Sequence, residues 1–117
     1  MAEYILAHEL GTSGDKATLF GTDGKMIGSR TCPYDIYYDQ PLWAEQDANA
    51  WWNAVCGSTR ELLSSYGILE DEVKAISFSG QMMGCLPVDR PGNPLHRAII
   101  WADQRAQKQS ALLAEKK

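Results

Sequence analysis

Residues 11–16 read Gly-Thr-Ser-Gly-Asp-Lys. Two glycines allow a tight loop whose backbone N–H groups face outward, two hydroxyls add donors, and Lys16 adds a positive point charge. Such a loop can hold phosphate oxygens. It lacks Walker A spacing, and the residues after it read as a strand rather than a helix. A plain turn uses the same composition, so both readings stay open on the residues alone. Asp15 counts against phosphate, because a carboxylate beside phosphates repels them. Glu9, two residues before Gly11, can hold a Mg²⁺-bound water or orient a reacting group. A solvated strand end would carry the same residue.

Two clusters downstream also carry chemistry. In Ser79-Gly80-Gln81-Met82-Met83-Gly84, Gln81 can both donate and accept, while Met82 and Met83 are either apolar walls or core filler. Trp101-Ala102-Asp103-Gln104-Arg105 places an aromatic face, a carboxylate and a guanidinium within one short stretch. A ring stacked on Trp101 with hydroxyls bonded by the charges would recognise a sugar or polyol. A core Trp101, a helix-capping Asp103 and a surface Arg105 are the alternative. His8 and His96 have no companions suggesting metal or nucleophile chemistry and read as structural. Cys32, Cys56 and Cys85 form no CxxC pair, which argues against structural zinc and for reduced, mostly buried thiols.

These residues need elements to position them. Strands are expected at residues 4–10, 17–21 and 25–32, with Asp23-Gly24 as a hairpin turn, giving an antiparallel meander. Residues 33–46 read as an irregular connector. Asp47 is the expected N-cap of a helix whose apolar face carries Trp52, Val55, Thr59, Leu62, Leu63 and Tyr66, stopped by Gly67. A strand over 73–79 and a short strand over 85–88 follow, then a turn at 91–94 and an apolar run at 98–101. A last helix capped by Asp103 is expected over 104–117, with Leu112 and Leu113 its large apolar residues. The order is mixed α/β. With 117 residues, 44% hydrophobic and 22% charged, the chain fits one domain of ordinary size. A net charge of −4 excludes a nucleic-acid binder working by bulk positive charge. The N-terminus lacks the basic start and apolar run of a signal peptide, and no stretch is apolar enough to span a membrane. No membrane partner and a cytoplasmic location are expected.

Leu10 to Lys16, Trp43 to Asp47, Trp51-Trp52, Ser79 to Met82 and Ile100 to Arg105, in that order, together resemble the N-terminal part of the FGGY carbohydrate kinases, nearest to the xylulokinases. The resemblance implies a ribonuclease-H-like, actin-like ATPase fold, truncated, whose mixed sheet opens with the meander. Residues 1–117 would be a partial N-terminal domain carrying the sugar-binding side and the phosphate hairpin. It implies ATP and Mg²⁺ as cofactors and a sugar or polyol, a xylulose-like ketose foremost, as substrate. Gly11, Thr12, Ser13 and Lys16 match the phosphate hairpin, and Glu9 falls where the family usually has an aspartate serving Mg²⁺. Gln81, Met82, Met83, Trp101 and Asp103 match the sugar side, with Met83 where xylulokinases usually have histidine. The catalytic base would lie past Lys117, so the chain alone is expected to be inactive and to need the remainder of the kinase chain. A homodimer is among the expected partners. A non-catalytic sugar- or nucleotide-binding module of the same fold is the alternative that Glu9 and Met83 favour.

A sheet cut from its neighbours and a half-formed last helix predict self-association of the isolated chain. Light scattering should show species heavier than a monomer, whereas a clean monomer at high concentration would contradict this.

Overall fold

The computed structural model describes residues 2–116. In chain order its elements are β1 (Tyr4–Leu10), β2 (Gly14–Gly21), β3 (Met26–Pro33), β4 (Glu45–Gln46), α1 (Ala48–Tyr66), a 3₁₀ turn (Glu70–Glu72), β5 (Val73–Gly80), β6 (Ala98–Ile99) and α2 (Gln107–Glu115). They fall into two compact units. The first joins the N-terminal segment up to Asp35 with Asn49–Gln81; the second joins Ile36–Ala48 with the segment from Met82 onward.

In the first unit the sheet order is β3-β2-β1-β5. β1 to β3 form the expected antiparallel meander, and β5 lies parallel to β1. A parallel neighbour needs a long crossover, and α1 supplies it. Period-two alternation puts Leu6 and His8 of β1 on one face with Asp15, Ala17 and Leu19 of β2, all buried. Leu6, Ala17, Leu19, Leu62 and Ile68 form the core. α1 covers it with Ala54, Val55, Ser58 and Leu62. The expected helix face is therefore rotated: Trp52 and Tyr66 are 64% and 44% exposed. Counting only large apolar residues missed that small Ala54 and Ser58 let the helix approach the sheet closely. Gly67 ends α1 as expected, with φ +61°.

Asp15 corrects the expectation that its charge would face phosphates. It is fully buried on the α1 side of the sheet. Its Oδ2 lies 2.8 Å from His8 Nδ1 and accepts a hydrogen bond from Ser58 Oγ at 2.8 Å. His8 Nε2 is 3.1 Å from Thr59 Oγ1, which donates to the Val55 carbonyl at 2.7 Å. The His8 ring stacks on Phe78 with centroids 5.3 Å apart. His8 is structural, as expected, but it is closely partnered. Bonding of this kind offsets the cost of burying polar groups, while Asp15 Oδ1 has no hydrogen-bond partner among the described residues.

In the second unit β4 pairs antiparallel with β6, Glu45 opposite Ile99 and Gln46 opposite Ala98. The connector read as irregular thus contains a strand. The strand expected over 85–88 is reduced to isolated bridges, Cys85 to Ile99 and Val88 to Pro94. Pro87 and Pro94 have no backbone N–H, so a longer ladder cannot form there. The last helix begins at Gln107, with Ala106 at the cap position. Asp103 does not cap it, being committed to Ala44 and Arg105; Lys117, its expected end, lies outside the described residues. The three thiols are free but not buried as expected: Cys32 and Cys56 are half-buried and Cys85 is exposed. Among the described residues, no helix is long and apolar enough to cross a membrane.

Replacing Asp15 by Ala takes from buried His8 Nδ1 its partner and from Ser58 Oγ the shorter of its two acceptors, leaving the Val55 carbonyl at 3.2 Å. The expected loss is about 1–3 kcal/mol of unfolding free energy, measured by urea denaturation; no measurable loss would contradict the network.

Candidate functional site

The hairpin between β1 and β2 is closed by Gly11 N–H donating to the Gly14 carbonyl at 3.0 Å. Gly14 is required by space: a Cβ there would sit 2.7 Å from the Cys32 carbonyl oxygen of β3. Tyr34, just past β3, donates its backbone N–H to the Ser13 carbonyl at 3.2 Å and its hydroxyl to the Gly11 carbonyl. Gln81, just past β5, donates its backbone N–H to the Leu10 carbonyl at 2.8 Å and its Nε2 to the Gly11 carbonyl at 3.4 Å. Burial, and then the Asp15 charge, push the Tyr34 hydroxyl up to about 12. It therefore stays protonated, and able to donate, at neutral pH.

Glu9 and Lys16 are cross-strand partners. Both are exposed, on the sheet face opposite α1. With Thr18, Ser77 and Ser79 they line a groove of 270 Å³. Lys16 thus offers its charge on the outer face while its neighbour Asp15 turns inward. Among the described residues no three His, Cys, Asp or Glu converge to hold a metal. A single carboxylate still fits Mg²⁺, which keeps several waters and takes phosphate oxygens beside one or two carboxylates.

In the second unit Met82 and Met83 are 78% and 89% exposed, which excludes core filler. Met83 has φ +62°, a left-handed conformation that a side chain adopts at a cost. Trp101 is also more than half exposed. Met83, Cys85, Trp101, Asp103 and Arg105 line a pocket of 550 Å³. Met82 lies outside that lining.

One wall of this pocket is a charge network. Arg105 Nη2 donates to Glu45 Oε2 and to Asp103 Oδ2, each at 2.7 Å. Asp103 Oδ2 also accepts the Ala44 N–H at 2.7 Å. The Arg105 guanidinium rests 3.9 Å from the Trp43 ring centroid. Hydrogen bonding to Asp103, chiefly, and to Glu45 pushes Arg105 above its usual range. Glu45 is nearly fully buried, with Arg97 Nη1 at 3.9 Å and His96 Nε2 at 3.7 Å as further neighbours. Arg105 holds the Asp103 carboxyl down at about 2. Asp103 is thus ionised and held by Arg105 and Ala44, shaping the pocket rather than capping a helix.

Gln81 is brought to the hairpin in the first unit, whereas Met83, Trp101 and Asp103 gather around the pocket of the second. Sequence reasoning missed Tyr34 and Glu45 as site residues. Glu45 stood inside a quoted motif, but its partner Arg105 is 60 residues away and no local spacing links them. Tyr34 sat in the connector, one of several tyrosines with no pattern to single it out.

Residues 4–117 match the FGGY family of carbohydrate kinases, N-terminal domain. A glycerol kinase from Trichormus variabilis is 36% identical over 114 residues, covering 97% of this chain and 23% of that protein. A xylulose kinase from Staphylococcus epidermidis is 40% identical over 103 residues, covering 88% and 21%. The chain therefore spans under a quarter of the length of these curated relatives. Among solved structures, a xyloylose kinase from Brucella ovis superposes with TM-score 0.89 at 29% identity, over 97% of this chain and 24% of that one. A gluconate kinase from Lactobacillus acidophilus gives TM-score 0.91 at 24% identity, over 99% and 23%, and shares the fold. The expected actin-like ATPase architecture is the one these neighbours have.

The Asp103 carboxyl, lowered from 3.8 to about 2, stabilises the fold above pH 3.8 and loses that contribution as pH falls through about 2. Thermal unfolding between pH 5 and 2 should show a decline that Asp103→Asn flattens. An unchanged acid limb in the variant would contradict the network.

Proposed function

Because the chain belongs to the FGGY family of carbohydrate kinases, we propose that it serves as the N-terminal part of an ATP-dependent kinase that phosphorylates a sugar or polyol hydroxyl. The observation that carries this reading is the Gly11–Lys16 hairpin. Its only acid is turned inward, its carbonyls at Gly11 and Ser13 are bonded, and Lys16 projects on the outer face. Phosphate oxygens would meet hairpin N–H groups, the Thr12 and Ser13 hydroxyls and the Lys16 ammonium.

ATP would supply the transferred phosphoryl group, and Mg²⁺ would offset charge on its oxygens. Glu9, exposed on the same sheet face as Lys16, is the residue that would hold a metal-bound water. Its extra methylene relative to aspartate can change whether that contact is direct or through water. Lys16 stabilises charge at the phosphates without taking part in proton transfer. In this reading the base lies outside these 117 residues, and residues 1–117 act with the remainder of a kinase chain, located in the cytoplasm.

The second unit contributes the sugar side. Trp101 offers a face for a sugar ring, Met82 and Met83 offer apolar contact, and Asp103 with Arg105 fixes the wall. The charges of Asp103 and Arg105 are spent on one another. That favours a neutral xylulose-like ketose or a polyol over a sugar acid, whose carboxylate would find no uncommitted cation in this lining.

The full-length protein with Mg-ATP, assayed for ADP release against xylulose, glycerol and gluconate, should act on a neutral substrate and poorly on gluconate. Lys16→Met should lower kcat/KM by about 10²-fold. Failure with every sugar and polyol would overturn the kinase reading. Glu9 favours a second reading, a non-catalytic binding module. Glu9→Asp with no gain in activity or Mg²⁺ affinity would support that alternative.

A further inference from the structure

A loop that binds anions through backbone N–H groups must also keep its own carbonyl oxygens away from the anion. Each carbonyl carries partial negative charge and would repel a phosphate as Asp15 would. Two carbonyls of the Gly11–Gly14 turn, those of Gly11 and Ser13, are engaged from outside the hairpin, and Tyr34 engages both. Its hydroxyl donates to Gly11 and its backbone N–H donates to Ser13 at 3.2 Å. Gln81 Nε2 adds a second donor to the Gly11 oxygen at 3.4 Å. The two side chains reach Gly11 from different strands, Tyr34 from the end of β3 and Gln81 from the end of β5. Those strands flank β2 and β1 on opposite sides, so the Gly11 oxygen is gripped from both sides of the hairpin.

We infer that Tyr34 and Gln81 are positioning residues for nucleotide phosphate: by holding the Gly11 carbonyl they aim the hairpin's N–H groups at the phosphates. This rests on the phosphate reading of the hairpin. It also reassigns Gln81, which the sequence placed among the sugar contacts. Neither side chain touches the reacting atoms; both act through the backbone of Gly11. Losing one neutral hydrogen bond weakens the held geometry modestly, so the expected effect is a rise in the ATP KM rather than loss of activity.

The test uses the full-length protein with Tyr34→Phe, Gln81→Leu and the pair combined. Tyr34→Phe keeps the half-buried ring and removes only the hydroxyl, and Gln81→Leu provides an independent variant. Each single change should raise the ATP KM by about three- to tenfold, with the sugar KM held within about twofold and the melting temperature little changed. The Gly11 and Gly14 amide resonances in ¹⁵N-glycine-labelled protein should move in both variants. Unmoved glycine resonances would overturn the clamp whatever the kinetics. Moved resonances with an unchanged ATP KM would overturn the positioning role while leaving the kinase reading intact. A wild-type protein with no ATP-dependent phosphorylation would overturn the kinase reading and this inference with it.

Discussion

The buried carboxylate of Asp15 is the constraint on which the first unit depends. It sits one residue past the Gly11–Gly14 turn, yet its bonds go to His8 on β1 and Ser58 on α1. That choice fixes the facing of β2. With Asp15, Ala17 and Leu19 inward, Lys16 must point outward. A one-residue slip would expose the acid beside the hairpin and bury the lysine. The same bonds draw Ser58, and with it the small-residue face of α1, against the sheet. These bonds do not by themselves make the fold stable, since burying polar groups costs about as much as the bonds return. Their contribution is to make one register much better than its neighbours.

The second unit is organised by a comparable device. Glu45 is a buried carboxylate on a strand of only two residues. A strand that short cannot hold its register by backbone bonds alone. Arg105 supplies the missing definition by joining Glu45 to Asp103, while Trp43 packs against the guanidinium. The pocket beside Met83 and Trp101 therefore has one rigid charged wall and one exposed apolar rim. A charged wall facing an exposed apolar rim suits a ligand that is polar on one face and carbon-rich on the other.

The meander, α1 and β5 were legible because each carries its own local pattern: alternation, a turn dipeptide, a three-to-four spacing, a terminal glycine. The motifs that carry the family resemblance were legible as residue types in order, and residues 4–117 match that family. What sequence could not show was direction. Asp15 read as a neighbour of phosphate because adjacency along the chain says nothing about which face a strand residue takes. Asp103 read as a helix cap for a similar reason; its acceptors were claimed by Arg105 and by the Ala44 N–H from far along the chain. Tyr34 was invisible because its contacts are two bonds to backbone oxygens of a distant turn, those of Gly11 and Ser13. The short strand over 85–88 failed on proline, whose missing N–H outweighed a favourable apolar run.

The central proposal is that the Gly11–Lys16 hairpin, with Asp15 turned inward and Lys16 outward, makes a phosphate site. A crystal structure of the full-length protein with Mg²⁺ and a non-hydrolysable ATP analogue tests it most directly. The account predicts phosphate oxygens within hydrogen-bonding distance of N–H groups in the Gly11–Gly14 turn, with Asp15 still bonded to His8 and Ser58. Phosphates bound away from the hairpin, or an Asp15 side chain swung out toward them, would contradict it.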